Sequence, residues 1–421
     1  MAGTVTQQDD APLAGTRIAG IVTHGVGPSA LRRCALLGAD AFKIEHDRGL
    51  DGGREMPPMR VEGMSPFHEA NNTSVQSLCL DYTTDPGRRA LVRVLRRCDG
   101  FVTNMKEQIS ERYGLTWESL KAAEARFFPD EEPQLGRLVC IRVTGYGVRG
   151  PMRMRSGYAT NVDAWTGTMD LNLGPDGVPQ RPTTPDPDWM AARDVVTSFL
   201  AGLIRRARTG SGGQFNISLA CERIEALNYQ VVFALNQYLQ IQHQPDSEHP
   251  SVPTARVIQT ADEPLLVMVM TDAQWRKMCG VMDREDLVKD ARFATQDARQ
   301  NNRRALRKIL RAAFAKRPAA EWMELLERAD LPVDQIRSIY DLRDDPQVWA
   351  NDMLVRIEGS PLGKEVIVPG MAIEVEGFTP QYRRAPWVGE HTREILAAAD
   401  FSDAEIAELK AQRIVSWREP A

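Results

Sequence analysis

The first 150 residues alternate between short apolar runs and amphipathic segments. Two amphipathic segments, PSALRRCALLGA at 28–39 and PGRRALVRVLRRC at 86–98, have the 3.6-residue period of helices. The apolar runs have the length of buried strands: TRIAGIVTH at 16–24, DAFKIE at 40–45, SLCLDY at 77–82, GFVTNM at 100–105 and RLVCIRVTGYG at 137–147. Strands that alternate with helices indicate an α/β fold built on an open, parallel, Rossmann-like sheet.

The pattern changes after this region. Residues 188–210 predict a long helix that ends at a glycine, 214–220 predict a strand, and 222–242 predict a further helix. Residues 46–72 are rich in Gly, Pro, Met and charged side chains, so they are predicted to form a loop.

A chain of 421 residues is too long for one ordinary compact core, so two domains are expected. Between about 250 and 330 a strand pair is accompanied by several helices, which indicates a smaller α+β domain. The expected parts are a disordered tail at 1–15, a large domain made of 16–225 with 335–421, and a small domain with linkers at 226–334.

Composition and charge exclude several classes of protein. The net charge of −5 is not the footprint of a nucleic-acid-binding surface. No apolar stretch approaches the eighteen residues of a membrane span, and the N-terminus has no apolar signal segment. The six cysteines form no CxxC pair and no zinc pattern, so they predict buried free thiols and no metal site. We expect a cytoplasmic enzyme without a nucleic-acid or membrane partner.

Polar residues follow three of the predicted strands. His24 follows the first strand, Asn104 and Lys106 the fourth, and the glycine-rich VTGYGVRGP, which includes Gly145 and Gly147, the fifth. Ligands of open parallel sheets bind at the carboxyl ends of the strands, so these residues are candidates for one site. Amide groups of the glycine-rich loop are suited to bind an oxyanion, although most such loops are simple turns. His24 is a candidate base, with a capping role as the alternative.

Three carboxylates stand near the start of the long predicted helix: Asp186, Asp188 and Asp194. Asp188 directly precedes the apolar-periodic run, which is the position of a helix N-cap. The positive end of the helix macrodipole would keep this carboxylate ionised. Taken alone, this pattern favours helix capping over catalysis.

Several segments together resemble the family III CoA-transferases, the group that includes formyl-CoA and carnitine CoA-transferases. The similarity extends from about residue 12 to 415. The segments that carry it are LAGTRIAGIVTHGVGPSALRRCALLGADAFKIE at 13–45, VTGYGVRGP at 143–151, LIRRARTGSGGQFNISL at 203–219 and RAPWVGEHTREIL at 384–396.

The resemblance implies a nucleophile, which is an aspartate about one long helix before the TGxG turn. Asp188 lies 22 residues before Gly210 and fits that spacing. The implied reaction moves CoA from an acyl-CoA thioester to a carboxylic acid through an aspartyl anhydride and an aspartyl-CoA thioester. Backbone amides of Gly145, Tyr146 and Gly147 are the candidate oxyanion donors.

The resemblance also implies how CoA is held and how the chain assembles. Asn104, His24 and the strand end at 45–48 form the implied CoA site, with Arg48 and Lys106 facing the phosphates. No permanently bound cofactor is implied, and the implied assembly is a homodimer of two ring-shaped, interlocked chains. The lysine and arginine that the family carries near Asn72 are missing, which weakens the expected phosphate binding.

Three alternatives share the expected fold or ligand. An α-methylacyl-CoA racemase needs two acid/base groups, and the two corresponding positions hold Ser156–Gly157–Tyr158 and Gln259, which argues against proton shuttling. A CoA-ester isomerase or lyase is the second alternative. The third is a protein that binds CoA esters without turnover.

Overall fold

The computed structural model describes residues 10–46, 51–58, 61, 63–174, 176–236, 248–249 and 252–417. These residues form two compact units. The first consists of Met1–Thr168, Arg181–Leu227 and Pro346–Ala421, and the second of Met169–Gln180 and Asn228–Asp345.

The secondary structure of the described residues alternates between strands and helices, as the sequence predicts. The strands are β1 Arg17–Ile21, β2 Asp40–Glu45, β3 Gln76–Leu80, β4 Gly100–Thr103, β5 Val139–Thr144, β6 Gly213–Ser218, β7 Glu248–His249, β8 Val252–Gln259, β9 Pro264–Met268, β10 Val333–Gln335, β11 Leu354–Glu358, β12 Glu365–Pro369 and β13 Val415–Ser416. The helices are α1 Val26–Leu36, α2 Pro66–Asn72, α3 Asp85–Leu95, α4 Glu107–Arg112, α5 Trp117–Phe127, α6 Ala159–Trp165, α7 Asp186–Thr209, α8 Leu219–Leu227, α9 Tyr229–Leu235, α10 Asp272–Val281, α11 Asp286–Lys289, α12 Gln296–Asn301, α13 Arg303–Phe314, α14 Ala319–Arg328, α15 Pro346–Ala350, α16 Thr392–Ala397 and α17 Asp403–Ala411. Among the described residues, no helix combines the length and the apolar character that crossing a membrane requires.

The first unit is built on a sheet with the strand order β13-β3-β2-β1-β4-β5-β6. The pairs from β3 to β6 are parallel, and the short β13 adds an antiparallel edge to β3. The order 3-2-1-4-5-6 is that of the Rossmann fold, so the predicted parallel sheet is confirmed. The chain adds strands outward from β1 to β3 on one side and from β4 to β6 on the other, so the strand order reverses between β1 and β4. Ligands of such sheets bind at that point.

Helices cover both faces of this sheet. Adjacent residues of β4 enter different cores, since Phe101 packs with α3, α5, α16 and α17, while Val102 packs with α1 and α7. Successive side chains of a strand point to opposite faces, and both faces are buried here. This explains why the strands read as continuous apolar runs and not as alternating ones.

The long helix α7 is fixed closely to the sheet. A Cβ atom on Gly202 would lie 2.3 Å from Cγ1 of Val139 in β5, so only glycine permits this approach. The helix ends at Gly210, whose φ of +76° is the left-handed conformation that a glycine cap favours. The predicted end of the helix is therefore confirmed.

The second unit has its own core. Its four-stranded sheet has the order β10-β9-β8-β7, and its pairs are antiparallel. Helices α10 to α14 pack around buried aromatic side chains, among which Phe314 and Trp322 stack with their ring centroids 4.4 Å apart.

Three expectations from the sequence need correction. Leu13 is buried and its N–H donates to Leu37 O at 2.9 Å, so the expected tail does not extend to residue 15. The expected loop at 46–72 contains α2, which Ser65 caps by accepting from His68 N. The expected helix at 222–242 is broken at Asn228, whose φ of +42° separates α8 from α9. Residues 237–242 lie outside the described residues.

Candidate functional site

A cavity of about 320 Å³ opens at the carboxyl ends of β1, β4 and β5, beside the point where the sheet reverses direction. It lies within the first unit. Its lining comes from residues 23–26, 104–107, 143–145 and 153–158, together with Ile109, Asp188 and Leu219. Five candidates from the sequence meet here: His24, Asn104, Lys106, Gly145 and Asp188. Arg48 lies outside the described residues.

Asp188 is the third residue of α7 and not its N-cap. The helix begins at Asp186, and Pro185 occupies the cap position without a side-chain hydrogen bond. The predicted capping role is therefore wrong, because the helix starts two residues earlier than the apolar pattern indicates. The Asp188 carboxylate instead reaches Gly25, where a Cβ atom would lie only 2.7 Å from Oδ2.

The surroundings of Asp188 disfavour its charge. Burial, with a further contribution from the nearby Asp163 carboxylate, raises the pKa of Asp188 from its ordinary value of 3.8 to about 6. The pKa of Asp188 is therefore higher than expected for a carboxylate in the first turn of a helix, because the group is partly removed from water. Near pH 7 the group is still mostly ionised, but it is a poorly solvated anion.

Asp163 is a site residue that the sequence analysis missed. It lies in α6, it is buried, and its Oδ1 is 2.7 Å from Nε of Arg223 in α8. Arg223 also reaches Oδ2 of Asp186 at 3.4 Å, so one guanidinium faces two carboxylates. The two partners are 60 positions apart in the sequence, and neither stands in a recognisable motif. Only the fold brings this ion pair behind Asp188.

Asn104 holds the turn that follows β1. Its Oδ1 accepts from Thr23 N at 2.9 Å, and its Nδ2 donates to Thr23 O at 2.7 Å. These two bonds satisfy both the backbone N–H and the backbone C=O of Thr23. Asn104 therefore shapes the cavity wall in addition to any contact with a ligand. The neighbouring Lys106 is exposed, caps α4 and has no ion-pair partner among the described residues.

His24 lines the cavity in an unusual backbone conformation. Its φ is +61°, a left-handed value that histidine adopts at some cost. Its N–H donates to Oδ1 of Asp51 at 2.6 Å, and its Nδ1 is 2.9 Å from the Thr23 hydroxyl. The ring meets Tyr158 edge-on, with the ring centroids 5.6 Å apart.

A buried ionic cluster lies behind this turn. Asp51 Oδ2 is 2.5 Å from Nζ of Lys43, which is also 3.4 Å from Glu45 Oε1, and Arg54 donates to both oxygens of Glu45. Burial opposes the charge of Asp51, but Lys43 and the hydrogen bonds to the carboxylate outweigh it and lower its pKa to about 2. Burial likewise opposes the charge of Glu45, yet Lys43 and Arg54 hold its pKa well below the ordinary value. This cluster could not be predicted, because Asp51 and Arg54 fall in the segment predicted as a loop.

The glycine-rich loop after β5 contributes unequally to the cavity. Gly145 lines it, whereas Gly147 has a φ of +94° and donates its N–H to the Thr144 hydroxyl at 3.1 Å. The Gly147 amide is therefore engaged in the turn itself. Tyr146 packs edge-on against Trp165, and its hydroxyl is buried without a hydrogen-bond partner among the described residues.

Comparison with known sequences gives a consistent result. The model of the CoA-transferase family III matches residues 13–392. Mouse succinyl-CoA:glutarate CoA-transferase is 28% identical over 91% of this chain and 86% of its own length. The succinate–glutarate CoA-transferase of Agrobacterium fabrum is 28% identical, with coverage of 92% and 95%. The (R)-2-hydroxy-4-methylpentanoate CoA-transferase of Clostridioides difficile is 28% identical, with coverage of 96% and 100%.

Solved structures show the same fold. A CAIB/BAIF family protein from Brucella suis superimposes with a TM-score of 0.76 at 27% identity, over 93% of this chain and all of that one. The Mycobacterium tuberculosis protein Rv3272 superimposes with a TM-score of 0.78 at 24% identity, over 91% of this chain and 99% of that one.

Proposed function

Because the chain belongs to CoA-transferase family III and is a CoA-transferase, we propose that it moves CoA from an acyl-CoA thioester to a carboxylic acid with Asp188 as the covalent nucleophile. The observation that carries this proposal is the placement of Asp188. Its carboxylate is half-buried, lines the cavity at the reversal point of the sheet and lies so close to Gly25 that a Cβ atom there would be 2.7 Å from Oδ2. The chemistry requires an oxygen nucleophile at such a ligand site.

The reaction proceeds by exchange at carbonyl carbons. An oxygen of Asp188 attacks the thioester carbonyl, the C–S bond breaks, and its electron pair leaves on the CoA sulfur as a thiolate. The product on the enzyme is an aspartyl–acyl anhydride. The thiolate then attacks the aspartyl carbonyl, which releases the donor acid and forms an aspartyl-CoA thioester. The acceptor carboxylate repeats these two steps in reverse order, and Asp188 is regenerated.

The electrostatics of the site favour the first step. The ionised Asp188 is poorly solvated and lies near Asp163. Formation of the anhydride removes the charge of Asp188, so the repulsion and the cost of desolvation are relieved as the reaction advances. This half-buried carboxylate is thus less stable before the attack than a fully exposed one would be, and part of the barrier is removed.

The polar rim of the cavity suits a polyanionic substrate. Lys106, Arg153 and Arg155 line it and are exposed, and none forms an ion pair with the described residues. We assign CoA phosphates to Lys106 and to the predicted Arg48, and an acidic acyl group to the two arginines of the loop. Relatives at 28% identity are named for succinate and glutarate. Short dicarboxylic acids are therefore the donor and acceptor acids that we propose first.

The proposed assembly is the interlocked homodimer. Its support within the first unit is an apolar surface on α7 and α8, where Leu200, Ile204 and Ile224 are 40%, 63% and 41% exposed. Such a surface is costly in contact with water. Two interlocked chains cannot separate without partial unfolding, so the dimer should persist on dilution to low nanomolar concentration. A reversible monomer at that dilution would exclude interlocking.

The covalent role of Asp188 is tested by trapping the intermediate. The protein is incubated with succinyl-CoA and then treated with hydroxylamine, which converts an activated aspartyl group to a hydroxamate that mass spectrometry can place. The mark should appear at Asp188 and be absent in Asp188→Ala. A mark at Asp186 or Asp194, or substantial transfer by Asp188→Ala, would show that the assignment is wrong. Asp186→Asn is the matched control, because it removes a neighbouring carboxylate and leaves Asp188 in place.

A further inference from the structure

In the imidazole of His24, Nδ1 has a hydrogen-bond partner among the described residues and Nε2 has none. Nδ1 is 2.9 Å from the Thr23 hydroxyl, and that hydroxyl donates to Oδ1 of Asp51 at 2.7 Å. Because the Thr23 hydroxyl donates its hydrogen to Asp51, its oxygen can only accept a hydrogen bond from His24 Nδ1. The hydrogen of a neutral His24 therefore lies on Nδ1, and Nε2 carries the lone pair.

Nε2 of His24 lies beside Gly52 and is not fully buried, so a ligand atom can reach it. It has no hydrogen-bond partner among the described residues, and it is not one of their buried unpartnered atoms. His24 lines the cavity together with Asp188, whose Oδ2 would lie 2.7 Å from a Cβ atom on Gly25, the residue that follows His24. A thioester carbon in contact with Asp188 would thus lie beside this turn, with its sulfur close to the turn as well.

The cluster behind the turn is built to hold this arrangement. Asp51 Oδ1 accepts from His24 N, from the Thr23 hydroxyl and from Gly53 N at 2.6, 2.7 and 2.8 Å. Lys43 donates to the other oxygen, and the imidazole of His68 lies 3.9 Å from it. An anion fixed in this way stabilises a positive charge on an imidazole that is linked to it through a hydroxyl.

We propose that His24 binds the sulfur of CoA and that Thr23 and Asp51 are the residues that position it. This inference rests on the proposed function, because it assumes that CoA occupies the cavity. With a proton on Nε2, the imidazolium donates to the sulfur as the C–S bond breaks and the electron pair leaves on sulfur. The proton stays on Nε2 while the thiolate attacks the anhydride, so no net proton transfer occurs. When free CoA binds, the S–H proton passes to Nε2, which gives a thiolate–imidazolium pair.

The charges around the proposed sulfur position act in both directions. Asp188 opposes a thiolate, whereas Lys106 at the start of α4 favours it. Behind the ring, Asp51 on the segment after β2 favours the imidazolium, and Lys43 on β2 opposes it. The Tyr158 ring faces His24 from the start of α6. A measurement that isolates the contribution of His24 is therefore needed.

The test is an ultraviolet titration of the thiolate of free CoA bound to the whole protein. A thiol beside a protonated histidine has a pKa lowered by one or more units, so the wild-type complex should hold about tenfold more thiolate than free CoA near neutral pH. His24→Asn should abolish this excess, and asparagine tolerates the left-handed backbone of residue 24. Thr23→Val should reduce it, and Thr23→Ser, which keeps the hydroxyl, should retain it.

A second variant leaves the residues His24, Thr23 and Asp51 themselves unchanged. A Cβ atom at Gly52 would lie 2.8 Å from Nε2, so Gly52→Ala should obstruct this nitrogen and reduce the thiolate excess. In His24→Asn, transfer should lose kcat with little change in KM for the acceptor acid, because the sulfur contact belongs to the reacting centre.

The outcomes separate the two proposals. An unchanged thiolate excess in His24→Asn, or its absence in the wild type with CoA bound, would overturn the role of His24 and leave that of Asp188 intact. If the thiolate excess is lost in His24→Asn but fully retained in Thr23→Val, the positioning role of Thr23 and Asp51 is overturned. Failure of the wild type to bind CoA would overturn the proposed function itself.

Discussion

Replacement of Asp188 by asparagine should abolish activity and stabilise the fold at the same time. Asparagine keeps the shape of the side chain but cannot form the anhydride, so CoA transfer should fall by at least about a thousandfold, as for other covalent nucleophiles. The ionised carboxylate, in contrast, destabilises the folded state. Its pKa is raised from 3.8 to about 6, mainly by burial.

The size and pH range of the stabilisation follow from this pKa. Each pKa unit corresponds to about 1.36 kcal/mol, so the rise to about 6 amounts to roughly 3 kcal/mol as an upper value. Below pH 3.8 the carboxyl is protonated in both states and has no effect. As the pH rises towards 6, the unfolded chain loses this proton first, so the wild type loses stability until the folded state has also titrated. The asparagine variant has no such loss.

The assay is urea unfolding of both proteins between pH 4 and pH 8. The free energies of unfolding should be similar near pH 4 and should differ by about 2 to 3 kcal/mol in favour of Asp188→Asn above pH 7. Asp186→Asn serves as control, because that carboxylate is partly exposed and faces Arg223. A constant difference across the pH range, or a destabilised Asp188→Asn, would refute the argument that the site strains this carboxylate.

Three further results are expected. Gly25→Ala places a methyl group 2.7 Å from the present position of Asp188 Oδ2, so kcat should fall by more than about tenfold, and a normal kcat would show that this contact is unimportant. Lys106→Ala should weaken CoA binding and flatten its dependence on salt, measured by calorimetry, because a cation near phosphates is lost; Lys106→Arg is the control, and an unchanged salt dependence would place the phosphates elsewhere. An α-methylacyl-CoA in D₂O should take up no deuterium at the α-carbon at an enzymatic rate, and uptake detected by NMR would revive the racemase alternative with His24 or Tyr158 as the base.

The position of the cavity could be predicted because it depends on local signals. Each apolar run ends in polar residues, and the carboxyl ends of parallel strands share one edge of the sheet. His24, Asn104 and Gly145 therefore meet although they are up to 121 positions apart. The family resemblance added Asp188, whose local pattern alone favoured a capping role.

The electrostatic partners could not be predicted, because they depend on how helices pack. Asp163 and Arg223 meet only because α6 and α8 lie side by side. The predicted start of α7 is two residues late for a local reason, since the apolar pattern begins only after Pro187. Proline is also accepted in the first turn of a helix, where its missing N–H has no partner to lose. The sequence pattern therefore assigns Asp188 to the helix cap, whereas it is the third residue of α7.

Gly202 fixes the position of the proposed nucleophile, Asp188, from a distance. It stands 14 residues beyond Asp188 on the same helix, which is about 21 Å at 1.5 Å per residue. Because the contact with Val139 leaves no space for a methyl group, a side chain at position 202 would push the helix away from the sheet or along its own axis. A straight helix transmits such a displacement to its far end. Substitutions well outside the cavity can therefore misalign the attacking oxygen, and screens for inactive variants should find them along α7 as well as around the substrate.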